Sequence, residues 1–243
     1  MAERLVPADK SIIVACDVAS IHEFDRLLQE TAPVLGISAY KIGFELALQY
    51  GLPSLIQHVK FHSNAKIIYD HQKAGNDIPE IGVRFARVCA ESKVDEVILF
   101  PFAGPKTQEF WTKACQDKGL KVLTGGHMTH EGFSEDDGGY INAAAPYHIY
   151  LLATRLGVTD FVVPGNKPEL VQLYLKYLQG CLNHDATAKS KITLYSPGFI
   201  KQGGEISEMA KVAGEKWHAI VGRAIYGAKD IRAAAELMTS QIK

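Results

Sequence analysis

The stretch Ser11-Ile-Ile-Val-Ala-Cys-Asp17, followed by Ser20 and a segment with Phe24, Leu27 and Leu28, decides how the rest of the chain is read. Its first half is a short, nearly continuous apolar run rich in β-branched residues. Such runs suit parallel strands buried on both faces, whereas a half-exposed strand alternates apolar with polar residues. Its second half puts apolar side chains three and four apart, on one face of a helix that Ser20 can cap. The same unit of strand, polar end and helix recurs along the chain. Further apolar runs are Ala39-Tyr-Lys-Ile-Gly43, Lys66-Ile-Ile-Tyr-Asp70, Glu96-Val-Ile-Leu-Phe100, Lys121-Val-Leu-Thr124, Asp160-Phe-Val-Val163, Ile192-Thr-Leu-Tyr195 and Ala219-Ile-Val-Gly222. Asp77-Ile-Pro79 is expected to open a helix, with Pro79 near its first turn and Ile81, Val83, Phe85 and Val88 following. Later helices are expected over 104–118, 140–156, 167–180, 204–213 and 228–241. Eight strands alternating with helices over 243 residues fit a single (β/α)8 TIM barrel spanning 1–243 better than an open doubly wound sheet.

Hydrophobic residues make up 47% of the chain, enough for one large core. With 26 basic and 27 acidic residues the formal net charge is -1. No basic excess points to nucleic acid, so an anionic ligand has to be held by a local site. Cys16, Cys89, Cys115 and Cys181 are widely spaced with no CxxC pair, which argues against zinc; Cys16 and Cys89 read as reduced core residues. Met1 to Lys10 has no apolar signal-peptide core, and no run of 18 apolar residues suits a membrane span. A cytoplasmic protein with neither membrane nor nucleic-acid partner is expected.

A barrel of this kind carries its active site at the C-terminal ends of the strands. The polar residues there are Asp17, Lys41, Asp70 with Lys73 and Asp77, then Met128-Thr129-His130, Ser196-Pro197-Gly198, Gln202-Gly203-Gly204 and Gly222-Arg223. A lone Asp after a strand is most often a turn or cap residue, and Asp17 alone would be read that way. Lys41 is harder to dismiss, because a charge inside an apolar strand is costly to bury unless it is paired. Asp70, Lys73 and Asp77 would pass for ordinary loop charges, except that they stand at the same barrel mouth. The glycines at 198–204 are weak evidence by themselves. With Gly222-Arg223 at the next strand end they make a phosphate cradle, of backbone N–H groups and a forked guanidinium, at the usual barrel position.

At these residues the sequence resembles the orotidine 5'-monophosphate decarboxylase family. Ala15-Cys-Asp-Val18, Tyr40-Lys-Ile-Gly43 and Tyr69-Asp-His-Gln-Lys-Ala-Gly-Asn-Asp-Ile-Pro79 are similar to its first three strand ends. Ser196-Pro-Gly198, Gln202-Gly-Gly204 and Ile220-Val-Gly-Arg-Ala-Ile-Tyr226 are similar to its phosphate-binding segments. The third-strand spacing departs from the family's D-x-K-x-x-D, since each gap between Asp70, Lys73 and Asp77 is one residue longer. Residues three apart on a strand face opposite sides, so a bulge or turn is expected at His71-Gln72. The second extra residue is expected to be absorbed near Gly75.

The resemblance implies a decarboxylase that makes UMP and carbon dioxide in de novo pyrimidine synthesis, with no metal and no organic cofactor. It implies a tetrad of Lys41, Asp70, Lys73 and Asp77, in which Lys73 delivers the proton and Asp70 lies near the substrate carboxylate. Asp17 and Lys41 would contact ribose hydroxyls, Thr129 the pyrimidine, and Pro197, Gln202, Gly222 and Arg223 the phosphate segment. Asp77 would reach the ribose in a neighbouring subunit's site, which implies a homodimer. The nearest alternative is a magnesium-dependent sugar-phosphate decarboxylase or aldolase such as 3-keto-L-gulonate 6-phosphate decarboxylase. Those carry an acid where this chain has Lys41, and a lysine there would repel a divalent cation.

Overall fold

The computed structural model describes residues 9–71, 74–182, 186–189, 191–199 and 205–242. Eight parallel strands close into a barrel in chain order. They are β1 (Lys10–Cys16), β2 (Ile37–Gly43), β3 (Lys66–Asp70), β4 (Glu96–Leu99), β5 (Lys121–Gly125), β6 (Asp160–Val162), β7 (Thr193–Ser196) and β8 (Trp217–Val221). Each apolar run picked out above forms a strand, with ends shifted by one or two residues. Closure comes from β8, whose Ala219, Ile220 and Val221 pair with Ile12, Ile13 and Val14 of β1.

The helices are α1 (Ile21–Thr31), α2 (Phe44–Tyr50), α3 (Leu52–His62), α4 (Ile81–Glu91), α5 (Pro105–Asp117), α6 (Ala145–Arg155), α7 (Pro168–Cys181), α8 (Ala186–Lys189), α9 (Ile206–Val212), α10 (Arg223–Tyr226) and α11 (Ile231–Ser240). Ser20 caps α1 in a capping box. Its hydroxyl accepts from the Glu23 amide at 3.2 Å, and the Glu23 carboxylate accepts from the Ser20 amide at 3.1 Å. The buried face of α1 is Phe24, Leu27, Leu28 and Thr31, as its spacing requires.

One connection went unread, and one reading is corrected. The β2–β3 connection holds two helices, α2 and α3, that periodicity did not reveal; they break at Gly51, whose φ of +74° only glycine adopts easily. Asp77-Ile-Pro79 does not begin a helix. It forms a turn, with the Ile78 carbonyl accepting from Ile81 N at 3.3 Å, and α4 starts at Ile81. The buried face of α4 is Gly82, Ala86 and Cys89, while Val83 and Val88 are exposed. The cause lies in α5. A Cβ on Gly82 would come within 2.8 Å of the Trp111 ring, so small residues make this contact.

Alternation along the strands sorts side chains into two cores. Ile13, Ala39, Ile68, Ile98, Leu123 and Val162 point into the barrel, while Ile12, Tyr40, Ile67 and Val97 face the helices. Extending the inward rows upward leads to Asp17, Lys41 and Asp70. Extending them downward leads to a polar plug. There Lys121 Nζ lies 2.7 Å from Asp160 Oδ1, Tyr195 donates to the same oxygen at 3.1 Å, and Ser11 Oγ meets His218 Nδ1 at 2.7 Å. This N-terminal end of a barrel serves stability. Cys16, Cys89 and Cys115 are buried free thiols, and burial pushes the latter two up to about 12. Among the described residues no helix is long and apolar enough to cross a membrane.

Candidate active site

Lys41 stands on β2 in register with Ala15 of β1 and Ile68 of β3. It is 5% exposed, which puts its ammonium in the barrel interior. Its Nζ is 3.1 and 3.4 Å from the two Asp17 carboxylate oxygens and 3.3 Å from Asp70 Oδ2. Burial alone would pull its pKa down, but the charges of Asp70 and Asp17 and their hydrogen bonds more than reverse this. The net direction is up, so Lys41 is an ammonium at neutral pH. One cation held by two acids is the arrangement that makes a buried charge tolerable. It also occupies the place between Asp17 and Asp70 where a divalent cation would have to sit.

Above this trio opens a cavity of about 250 Å³. Asp17, Lys41, Asp70, Thr129, Pro197, Gly222 and Arg223 all line it, so residues spread over more than two hundred positions meet in one place. Arg223 is exposed and makes no ion pair among the described residues. Gly222 is tightly placed, since a Cβ there would meet the Tyr226 ring at 3.2 Å and Ala15 at 3.4 Å. Asp77 does not line this cavity. It is exposed, and its Oδ1 accepts from the Ile78 amide at 2.7 Å. Lys73 and Gln202 lie outside the described residues, as does Gln72, where a bulge was expected. The bend at Gly75 is present: φ is +95°, and its Cα side is pressed against the backbone of Pro101. Ala74 is tied back to the barrel by its carbonyl, which accepts from Phe100 N at 2.8 Å.

Several lining residues escaped sequence reasoning. Phe100 was read only as a strand end, yet it enters the cavity wall because β5 offers glycine opposite. A Cβ on Gly125 would fall 2.2 Å from the Phe100 ring. His127 also lines the cavity, 8% exposed, with Nε2 3.2 Å from Lys167 Nζ and Nδ1 3.0 Å from the Tyr174 hydroxyl. An ammonium can only donate, so Nε2 accepts and the proton sits on Nδ1. Burial first, and then the Lys167 charge, push this imidazole down to about 4. Asn166 donates to the Thr129 carbonyl at 3.0 Å, so the β6–α7 connection grips the 127–129 segment at two points. The sequence signal for this grip was a polar Asn166-Lys167 pair directly after a strand end, which nothing in the local pattern linked to His127.

The sequence matches the family model described as Orotidine 5'-phosphate decarboxylase / HUMPS family over residues 10–238. It is 28% identical over 232 residues to the orotidine 5'-phosphate decarboxylase of Methanosarcina barkeri, covering 96% of this chain and 94% of that one. The fold superposes on the orotidine 5'-phosphate decarboxylase of Pyrococcus horikoshii with a TM-score of 0.76 at 25% identity, covering 95% and 98% of the two chains. It has the same fold as the orotidine 5'-monophosphate decarboxylase of Methanocaldococcus jannaschii in complex with the inhibitor BMP, with a TM-score of 0.78 at 21% identity over 96% and 99% of the chains. A closed eight-stranded barrel and a family match over nearly its whole length lead to one statement: the chain belongs to the orotidine 5'-phosphate decarboxylase / HUMPS family.

Proposed function

We propose that this protein converts orotidine 5'-monophosphate to UMP and carbon dioxide, in de novo pyrimidine synthesis in the cytoplasm, as a homodimer that uses no metal or organic cofactor. The observation that carries the choice within the family is the buried Lys41 ammonium, 3.1 Å from Asp17 and 3.3 Å from Asp70. A magnesium-dependent relative needs an oxygen-rich cage, and a fixed cation in the middle of the acids defeats it.

In the reaction the bond between the ring carbon and its carboxylate breaks, and the electron pair stays on the ring. Lys73 is assigned as the acid that stabilises this carbanion and then protonates it. Asp70 faces the departing carboxylate and, through Lys41, belongs to a set of alternating charges that keeps the lysines protonated. Asp17 and Lys41 take the ribose hydroxyls, and Thr129 takes the pyrimidine. Gln202, Gly222 and Arg223 hold the phosphate, with Pro197 in the adjoining wall, remote from the reacting bond, so that its binding energy organises the site. Asp77, which is exposed and does not line its own cavity, serves the ribose in the cavity of a second copy.

The test is loss of orotate absorbance with orotidine 5'-monophosphate as substrate, before and after exhaustive EDTA treatment. Undiminished turnover in EDTA is the expected outcome. Inactivation by EDTA with rescue by magnesium, or turnover of a keto-sugar phosphate instead, would move the chain to the sugar-phosphate branch.

A further inference from the structure

The segment between Gly75 and Ile81 is exposed, yet its backbone is gripped from beneath by buried side chains. Thr107 Oγ1 donates to the Asp77 carbonyl at 2.9 Å, and Trp111 Nε1 donates to the next carbonyl, Ile78, at 3.1 Å. Both donors lie on α5, one turn apart, and are 4% and 5% exposed. Each carbonyl lies in its own rigid peptide unit, so the two bonds orient the units on either side of Ile78, the first of which joins Asp77 to Ile78. Holding the unit that follows Asp77 restricts the directions in which its side chain leaves the loop. The indole that does this is itself immobilised. Its ring lies so close to α4 that only glycine fits at position 82. Phe85 packs on it at 5.1 Å, and Tyr69 of β3 stacks on Phe85 at 6.2 Å. A surface loop could leave both carbonyls to water at no cost. Beside Asp77 the loop also presents an apolar side chain, Ile78, 59% exposed. An acid and an apolar group held stiffly outward together suit a surface that another chain covers.

The geometry points to Thr107 and Trp111 as positioning residues that act in trans: each subunit's pair aims its own Asp77 into the cavity of a second copy of this chain. This rests on the reading above that Asp77 serves the neighbouring cavity. Neither residue lines the cavity of its own subunit. Their contribution is to hold the acid assigned to the neighbouring cavity, and it belongs to the partner's turnover.

Heterodimers test this. Subunits carrying Thr107→Val with Trp111→Phe keep their shapes but lose both donors, and each lost hydrogen bond should lower kcat/KM by about fivefold to tenfold. Lys41→Met subunits are dead in their own cavity but carry an intact clamp. Co-expressed with different tags and isolated as the mixed dimer, the two should recover about half the wild-type activity per dimer, since one of the two symmetry-related sites is then complete. A clamp that works only on its own barrel would leave the mixed dimer no more active than half of the clamp variant, and that result overturns the inference. So does wild-type kcat/KM in the clamp variant itself. A parallel mixed dimer of Asp77→Ala with Lys41→Met tests the underlying reading. If it recovers activity and the clamp dimer does not, only the inference fails. If neither recovers, the trans role of Asp77 fails, and the inference with it. Should Lys41→Met subunits not fold, Arg223→Ala takes their place, assayed at substrate concentrations where its own site is nearly empty.

Discussion

Lys41 is where a single residue decides most about this protein. In the sequence it is one cation in an apolar strand; in the fold it is clamped by Asp17 and Asp70 at the floor of a cavity. Replacing it by methionine keeps the length and removes the charge. Turnover should then fall by a factor of at least about a hundred to a thousand, the usual effect of losing one fixed charge or donor at a reacting centre. Stability should fall as well, because the buried Asp70 carboxylate loses the Lys41 ammonium 3.3 Å away. The sign of the pH effect follows. Lys41 attracts Asp17 and Asp70 only while those acids are ionised, so losing its charge costs stability above the carboxylate range and little below it. The gap between Lys41→Met and wild type in urea denaturation should therefore be wider at pH 8 than at pH 4.5. An equal gap at both would mean that the trio contributes little.

At the scale of elements, the site depends on which residue type each strand offers at the same height. β5 ends in Gly125, and this lets Phe100, just past the end of β4, lean across into the cavity wall. Gly125→Ala would set a methyl group 2.2 Å from that ring, with no flexible tail to yield. Overpacking of this sort costs about 1–3 kcal/mol. Phe100 would be driven further into the cavity, so KM should rise together with the loss of thermal stability. A rise in KM without destabilisation would contradict the packing account. The elements also separate what was legible from what was not. All eight strands were visible because parallel buried strands need unbroken apolar runs. α1 was visible because Ser20, Glu23 and the 24, 27, 28 spacing agree with one another. The exposed Val83 and Val88 of α4 misled, because the real contact face is made of Gly82, Ala86 and Cys89, chosen by the bulk of Trp111 on another helix.

For the whole molecule, two histidines at opposite ends of the barrel contribute to acid sensitivity. His127 at the mouth and His218 in the lower plug are both pushed down to about 4, mainly by burial and then by Lys167 and Lys121 respectively. Other groups bear on His127 too: Asp137 raises it and His130 lowers it further. Both imidazoles are neutral in the fold, whereas the unfolded chain takes up protons near the ordinary value of 6.5. Stability is therefore full above pH 6.5 and is lost as pH falls toward 4, by at most about 3 kcal/mol for each. His127→Gln should flatten this part of the stability curve, measured by urea denaturation from pH 7 to 4. An unchanged slope would show that His127 is protonated in the fold. The sequence by itself determined the barrel and picked out strand-end residues such as Asp17, Lys41 and Asp70 that meet at its mouth, because strand periodicity and the chemistry of a buried lysine are local properties. Only the tertiary structure decided that Asp17 shares Lys41 with Asp70, that His127 is buried beside Lys167, and that Thr107 and Trp111 grip the Asp77 loop. Those are contacts between residues 24 to 40 positions apart, and no local pattern encodes which distant side chain arrives beside which.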